Sequence, residues 1–311
     1  MQYRFVILGK WESYPSYFLY GALQGVYLNN SLARSVSLEK NSMYDIWEQI
    51  NFFKPHAILC HTIFDNKPHR DHLFYILKKC RNKGIKVFYH AGDARVEPRF
   101  ANNISSIVDY ALINHWPVMP AYNIWRVQCF HWPYMALNQD KIADKSPIYT
   151  CDLAFTGSLE NNQHHAHRAK FIQQLKSQIS IKTFPSPESG NTRFQTPELA
   201  ASANGILGFQ MGLNVSGYQD VRQYQYIGAG SVYFHDKHPA IDKVFEDGVH
   251  YISFERDNIG SFIDKFNTYK DNIKIRKEGF KYGQTYHSSK ERIRQVINIL
   301  EGKEYKIYYI R

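Results

Sequence analysis

Two short stretches in the first half of the chain place titratable side chains directly after apolar runs: His90 to Arg95 (HAGDAR) follows Ile85 to Tyr89, and His61 to Asp65 (HTIFD) follows Ala57 to Cys60. A hydroxyl becomes a usable nucleophile only as its proton is removed, so transfer to it needs an imidazole or carboxylate within hydrogen-bond reach. His90 and Asp93 supply such a pair. Gly92 between them lets backbone approach a substrate closely, and Arg95 offers a fork of donors to a phosphate or an acidic group. His61 and Asp65 form the alternative pair for the same role, and Gly9-Lys10-Trp11, after the apolar run Tyr3 to Leu8, is a third position of this kind. The same residues also fit plainer roles: a surface turn with an Asp93–Arg95 ion pair, a structural His61, a solvated Lys10.

The second half carries a different signal in GFQMGLNVSGYQDVRQYQYIGAGSVYFHD, Gly208 to Asp236. Apolar Ile206 to Leu213 predicts a strand, Asp220 to Ala229 a helix, and Val232 to Phe234, after the Gly228-Ala229-Gly230 break, a second strand. The short polar loop Asn214 to Gln219 delivers Arg222 into the first helical turn. In an open parallel sheet such a loop lies at the carboxyl end of its strand, where a helix amino terminus presents free N–H groups and partial positive charge to a phosphate. A nucleotide fits there; so does the plainer reading of Arg222 as a side chain capping an acid such as Asp220. Thr156-Gly157-Ser158 ends another strand and reads either as a glycine loop near phosphates or as an ordinary tight turn. His164, His165 and His167 have no carboxylate or cysteine at ligand spacing and read as a solvated helix start, so no metal site is expected.

The elements that must position these residues alternate. In the first half they are the strand Tyr3 to Leu8, a helix through Tyr17 to Leu28, a helix over Ser42 to Phe53 with a Ser42/Asp45 capping box, the strand Ala57 to Cys60, a helix ending in Lys78, Lys79, Arg81 and Lys83 before Gly84, and strands at Ile85 to Tyr89, Val108 to Ile113 and Arg126 to Phe130. Trp132 to Thr150, with two prolines and mixed charge, reads as a linker. A second series follows: strand Leu153 to Thr156, helix His167 to Ser177, strand Ile181 to Phe184, a helix opening at Thr196-Pro197-Glu198 and closing at Asn204-Gly205, the central unit, a short helix at Pro239 to Phe245, strand Tyr251 to Phe254, a helix bearing Ile259, Phe262, Ile263 and Phe266, and a last helix with Ser288 and Glu291 as its capping box. Alternation with short connections predicts parallel sheets covered on both faces.

Composition narrows the class. The 311 residues suffice for two domains; 44% are hydrophobic, and 23 Tyr with 20 Phe mark a globular chain. Lys and Arg exceed Asp and Glu by 38 − 28 = 10, which favours anionic partners: sugar nucleotides, phospholipid head groups or nucleic acid. The four cysteines, Cys60, Cys80, Cys129 and Cys151, form no CxxC pair, so a reduced cytoplasmic setting fits. The opening MQYRFVILGKWE is too short an apolar run for a signal peptide, and no stretch of 18 apolar residues occurs. The expectation is a chain that is soluble or held at most to a membrane surface, such as the inner membrane face.

The order Asn214, Val221-Arg222, Gln225 and Gly230, followed by an apolar strand, resembles the donor-site segment of GT-B glycosyltransferases. It is most similar to the spore-maturation (CgeB-like) group and its group 1 relatives, whose segment reads roughly Leu-Asn, Arg-x-x-Glu, Gly. The resemblance covers about residues 130 to 300. It implies an α/β chain of two Rossmann-like domains facing a central cleft: an acceptor-side domain over 1–135, a linker over 136–150, a nucleotide-sugar domain over 151–285, and a terminal segment 286–311 crossing back to the first domain. It further implies donor contacts from Gly157, Ser158, Asn214, Arg222, Gln225 and Gly230, joined by Gly9 and Lys10, with Trp11 and Arg95 on the acceptor side. Asp93 or His90 would be the base, with His61 and Asp65 behind them. Arg222 would offset charge on the departing diphosphate, replacing a metal ion, in keeping with the lack of an Asp-x-Asp motif. Direct displacement implies inversion, with retention still open.

The partners so implied are a nucleotide-sugar donor and a glycan, lipid-linked or other hydroxyl acceptor; no cofactor is expected beyond the sugar nucleotide. One departure stands out: the family's ribose-binding Glu is Gln225 here, which keeps hydrogen bonding to a diol but loses the charge. Two other readings stay open, a basic nucleic-acid-binding module and a GT-B fold that binds nucleotide without catalysis.

Overall fold

The computed structural model describes residues 1–9, 17–38, 40–61, 67–91, 107–120, 127–157, 159, 166–184, 196–210 and 219–305. The chain divides into two units: residues 1–133 together with the C-terminal segment that begins at Ser289, and residues 134–288.

The first unit is built on six strands: β1 (Arg4–Gly9), β2 (Leu32–Ser37), β3 (Ala57–His61), β4 (Lys86–Ala91), β5 (Tyr110–Ile113) and β6 (Gln128–His131). They are ordered β2-β1-β3-β4-β5-β6, and every pairing is parallel. Residues Phe5 to Leu8 are all fully buried, as expected of a strand covered on both faces. The helices are α1 (Tyr17–Leu28), α2 (Met43–Phe53) and α3 (Lys67–Asn82). Ser42 and Asp45 form the expected capping box at the start of α2, and Ile46 and Ile50 carry its buried face.

The second unit has β7 (Cys151–Thr156), α4 (Ala166–Leu175), β8 (Ile181–Phe184), α5 (Thr196–Ser202), β9 (Ala203–Gly208), α6 (Val221–Gly228), β10 (Tyr233–Asp236), α7 (Pro239–Asp242), β11 (Ile252–Phe254), α8 (Ile259–Tyr269) and α9 (Ile273–His287). Its sheet, β11-β10-β9-β7-β8, is also wholly parallel. The last helix, α10 (Ser289–Leu300), belongs to the first unit and packs along α1. A Cβ on Gly25 of α1 would lie 2.3 Å from the carbonyl oxygen of Ser289, so the two helices meet backbone to backbone.

Both sheets follow one plan. From a central pair the connections run outward in opposite directions, β1 and β3 in the first unit, β7 and β9 in the second. In an open parallel sheet the crevice at the carboxyl ends of such a pair is where ligands bind. Three elements differ from the sequence reading. Asn204-Gly205 does not end a helix: α5 stops at Ser202 and both residues lie in β9, where a Cβ on Gly205 would sit 2.7 Å from the Phe234 ring. Strand β2 and helix α9 were not foreseen. The first is an edge strand of mixed polarity, and the second carries glycines at 279 and 283 within its span.

Candidate functional site

At the carboxyl end of the second sheet the chain gathers three guanidiniums and two carboxylates. Asp220 caps α6, its side chain accepting from the backbone N–H of Arg222. The Arg222 side chain folds back on the same carboxylate: Nε donates to both oxygens at 3.0 and 3.1 Å, and Nη2 to Oδ2. The remaining nitrogen, Nη1, donates to the carbonyl of Thr156 at 2.8 Å, across the β7/β9 switch point. The capping reading of Arg222 is therefore realised together with its placement beside Gly157. A Cβ on Gly157 would lie 2.5 Å from Arg222 Nη1 and 3.4 Å from Arg168 Nη1, and φ is +137° there, a region that L side chains rarely adopt.

Arg168, on α4, is 2% exposed. Burial, with Arg222 beside it, lowers its pKa to about 10. Asp236 closes the cluster from the end of β10: Oδ1 accepts the N–H of Gln210 at 2.7 Å, and Oδ2 takes Nη2 of Arg256, two residues beyond β11. Asp236 and Arg256 also line a pocket of about 340 Å³ with Lys237, Glu255, Asp257 and Asn258. Burial pushes the Asp220 carboxyl up, but the adjacent Arg222 charge and its hydrogen bonds prevail and hold it below the usual range. Counting Arg168, Arg222 and Arg256 against Asp220 and Asp236, the cluster carries 3 − 2 = +1.

Arg168, Arg256 and Asp236 were missed in the sequence. The signal existed: Arg168 shares the buried face of α4 with Phe171, Ile172 and Leu175, an apolar stripe in which a lone arginine has no business unless it is paired or poised. Asp236 and Arg256 stand at or just after strand ends, the same kind of position that holds Gly157.

Gln225 lies one turn beyond Arg222 on α6 and is 1% exposed; neither its Oε1 nor its Nε2 has a hydrogen-bond partner. Gly230 follows the far end of α6, roughly 12 Å from Arg222 at 1.5 Å per residue. There it adopts φ +82°, and its carbonyl accepts from Arg276 Nη1 at 3.1 Å.

In the first unit the expected histidines come together. His61 and His90 are register partners at the ends of β3 and β4, with their Nδ1 atoms 2.8 Å apart. Phe18 of α1 stacks on both rings at 4.3 and 4.7 Å, and Trp132 meets His90 edge-on at 5.1 Å. His90 is fully buried, whereas His61 keeps a partial opening to solvent. Burial lowers the His61 pKa to about 3 and holds His90 well below its ordinary value, so the pair is neutral and one ring donates to the other. Gly9 closes β1 at the switch point beside β3, its carbonyl accepting from Leu38 N–H. Lys10, Trp11, Asp65, Asp93, Arg95, Ser158, Asn214, His164 and His165 lie outside the described residues. His167 packs edge-on against Phe209, and among the described residues no cluster of three metal-ligating side chains occurs.

No protein-family model and no curated protein matches the sequence. Solved structures match throughout. HepE of Anabaena, crystallised with UDP-glucose, is 10% identical with a TM-score of 0.65 over 97% of this chain and 100% of that one. A glycosyltransferase of Rickettsia africae is 10% identical with a TM-score of 0.62 over 97% and 98%. Sucrose-phosphate synthase of Thermosynechococcus elongatus is 5% identical with a TM-score of 0.59 over 97% and 99%. The architecture is thus the GT-B type: two Rossmann-like units, each on a parallel sheet.

Proposed function

We propose that the chain is a nucleotide-sugar-dependent glycosyltransferase whose donor diphosphate lies at the corner formed by Gly157 and Arg222. The carrying observation is the meeting of the Arg168 and Arg222 guanidiniums at Gly157, whose lack of a side chain leaves them room, beside the β7/β9 switch point. Guanidiniums gathered on a glycine at the carboxyl end of a parallel sheet suit a diphosphate.

In the reaction the bond between the anomeric carbon and the diphosphate oxygen breaks, and charge builds on the leaving group. Arg222, already fixed by Asp220 and Thr156, meets that charge without reorganising, which is stabilisation aimed at the transition state. The acceptor oxygen attacks the anomeric carbon and its proton passes to a base; Asp93 is the candidate, since burial holds His61 and His90 weakly basic. Direct displacement gives inversion. Gln225, with both amide atoms unspent, is suited to a ribose diol.

The test is release of nucleotide from a panel of nucleotide sugars, headed by UDP-glucose, with anomeric configuration read by NMR of the product. At least one donor should turn over; absence of both binding and turnover across the panel would defeat the reading. The buried, unbonded Gln225 favours a second reading, a nucleotide-binding site without chemistry. Tighter donor binding by Gln225→Glu with no turnover in either form would support it.

A further inference from the structure

We propose that the outer face of α2 and α3 docks the protein on an anionic lipid surface, phosphates meeting a lysine cluster and Phe52 entering the interface. This does not depend on the transferase reading. Two ammonium groups are gathered on one indole: Lys79 Nζ lies 3.7 Å and Lys83 Nζ 4.7 Å from the centroid of Trp47. Lys83 also donates to Asn51 at 3.2 Å. Neither lysine has a carboxylate partner among the described residues, so two like charges are held side by side. Lys78, exposed on the same helix, adds a third; Asp45 and Glu48 are the exposed acids of α2.

Large apolar side chains are exposed on the same two helices. Phe52, next to Asn51, is 81% exposed, and Tyr75, three and four residues before Lys78 and Lys79, is 68% exposed. An exposed phenylalanine gains nothing in water, but it gains at a membrane interface, where basic and aromatic residues act together. Nucleic acid would use the aromatic faces as stacking platforms. The Trp47 face is already occupied by lysines, which favours lipid.

The experiment is co-sedimentation of the full chain with vesicles of phosphatidylcholine alone or mixed with phosphatidylglycerol. Binding is expected only to the mixed vesicles, falling as salt rises. Each of Lys79→Gln and Lys83→Gln should weaken it about five-fold, the equivalent of about 1 kcal/mol per lysine near an anionic surface. Phe52→Ser should weaken it at unchanged melting temperature, and Lys274→Gln, exposed in the second unit, should leave it unchanged. Equal binding to both vesicles, no binding at low salt, or loss of RNA binding rather than vesicle binding in these variants would overturn the proposal.

Discussion

Arg222 is fixed before any ligand arrives, because three of its side-chain hydrogen bonds go to Asp220 and a fourth to the Thr156 carbonyl. That arrangement makes Asp220 a positioning residue whose charge matters across a defined pH range. Its carboxyl is held below the unfolded value of about 3.9, so its stabilising share is present above that pH and is lost as pH falls through the folded pKa. Asp220→Asn leaves Arg222 buried without its partner and should cost about 3–5 kcal/mol near pH 7. In urea titrations the difference from wild type should shrink below about pH 4.

His61 and His90 run the opposite way. The unfolded chain takes up these protons near pH 6.5, while His61 in the folded chain resists until about 3, so acidification through that window favours unfolding. Melting temperature should fall between about pH 6.5 and 4, and the His61→Gln, His90→Gln double variant should show a shallower fall; an equally steep one would mean that other buried histidines dominate. From the sequence each histidine was visible only as a residue after a strand. That they face each other follows from the β3–β4 register, which pairs positions 29 residues apart and cannot be read locally.

At the scale of elements, α6 and α9 approach until glycine meets glycine. A Cβ on Gly283 would lie 2.5 Å from the Cα of Gly228, and one on Gly279 would lie 3.1 Å from both the His250 carbonyl oxygen and Ile227. Neither obstacle is a flexible side-chain end, so Gly283→Ala must push the helices apart. We expect a loss of about 1–3 kcal/mol by chemical denaturation, the range for overpacking. Because α6 also carries Arg222, donor affinity should fall with it. These same glycines hid α9 from the sequence, since glycine is a poor helix former and its spacing at 279 and 283 gains meaning only once the partner helix is known. β2 was hidden for another reason: at the sheet edge its residues are half exposed, and the alternation that marks a covered strand is missing.

For the molecule as a whole, the alternating elements were enough to reveal two parallel α/β halves, because strands buried on both faces read as unbroken apolar runs. The charged cluster proposed to bind the donor was half legible. Gly157 and Arg222 announced themselves by their place at a strand end and a helix start, while Arg168, Asp236 and Arg256 come from three further elements that only the sheet order brings together. No described helix is long and apolar enough to cross a membrane. Since guanidinium charge is proposed to do the work of a divalent cation, nucleotide-sugar turnover should persist in excess chelator. Activity abolished by chelation and restored by magnesium or manganese would assign that work to a metal instead.

The central claim, a diphosphate at the Gly157–Arg222 corner, is met most directly by calorimetric titration of nucleotide sugars and free nucleoside diphosphates into wild type, Arg222→Ala and Arg222→Lys. At least one ligand should bind wild type. Arg222→Ala should bind it about 10- to 100-fold more weakly, as befits loss of 1.4–2.7 kcal/mol of charged hydrogen bonding, and Arg222→Lys should not restore it, since an ammonium cannot span Asp220 and Thr156 together. Equal affinity in all three proteins, or no nucleotide binding at all, would contradict it.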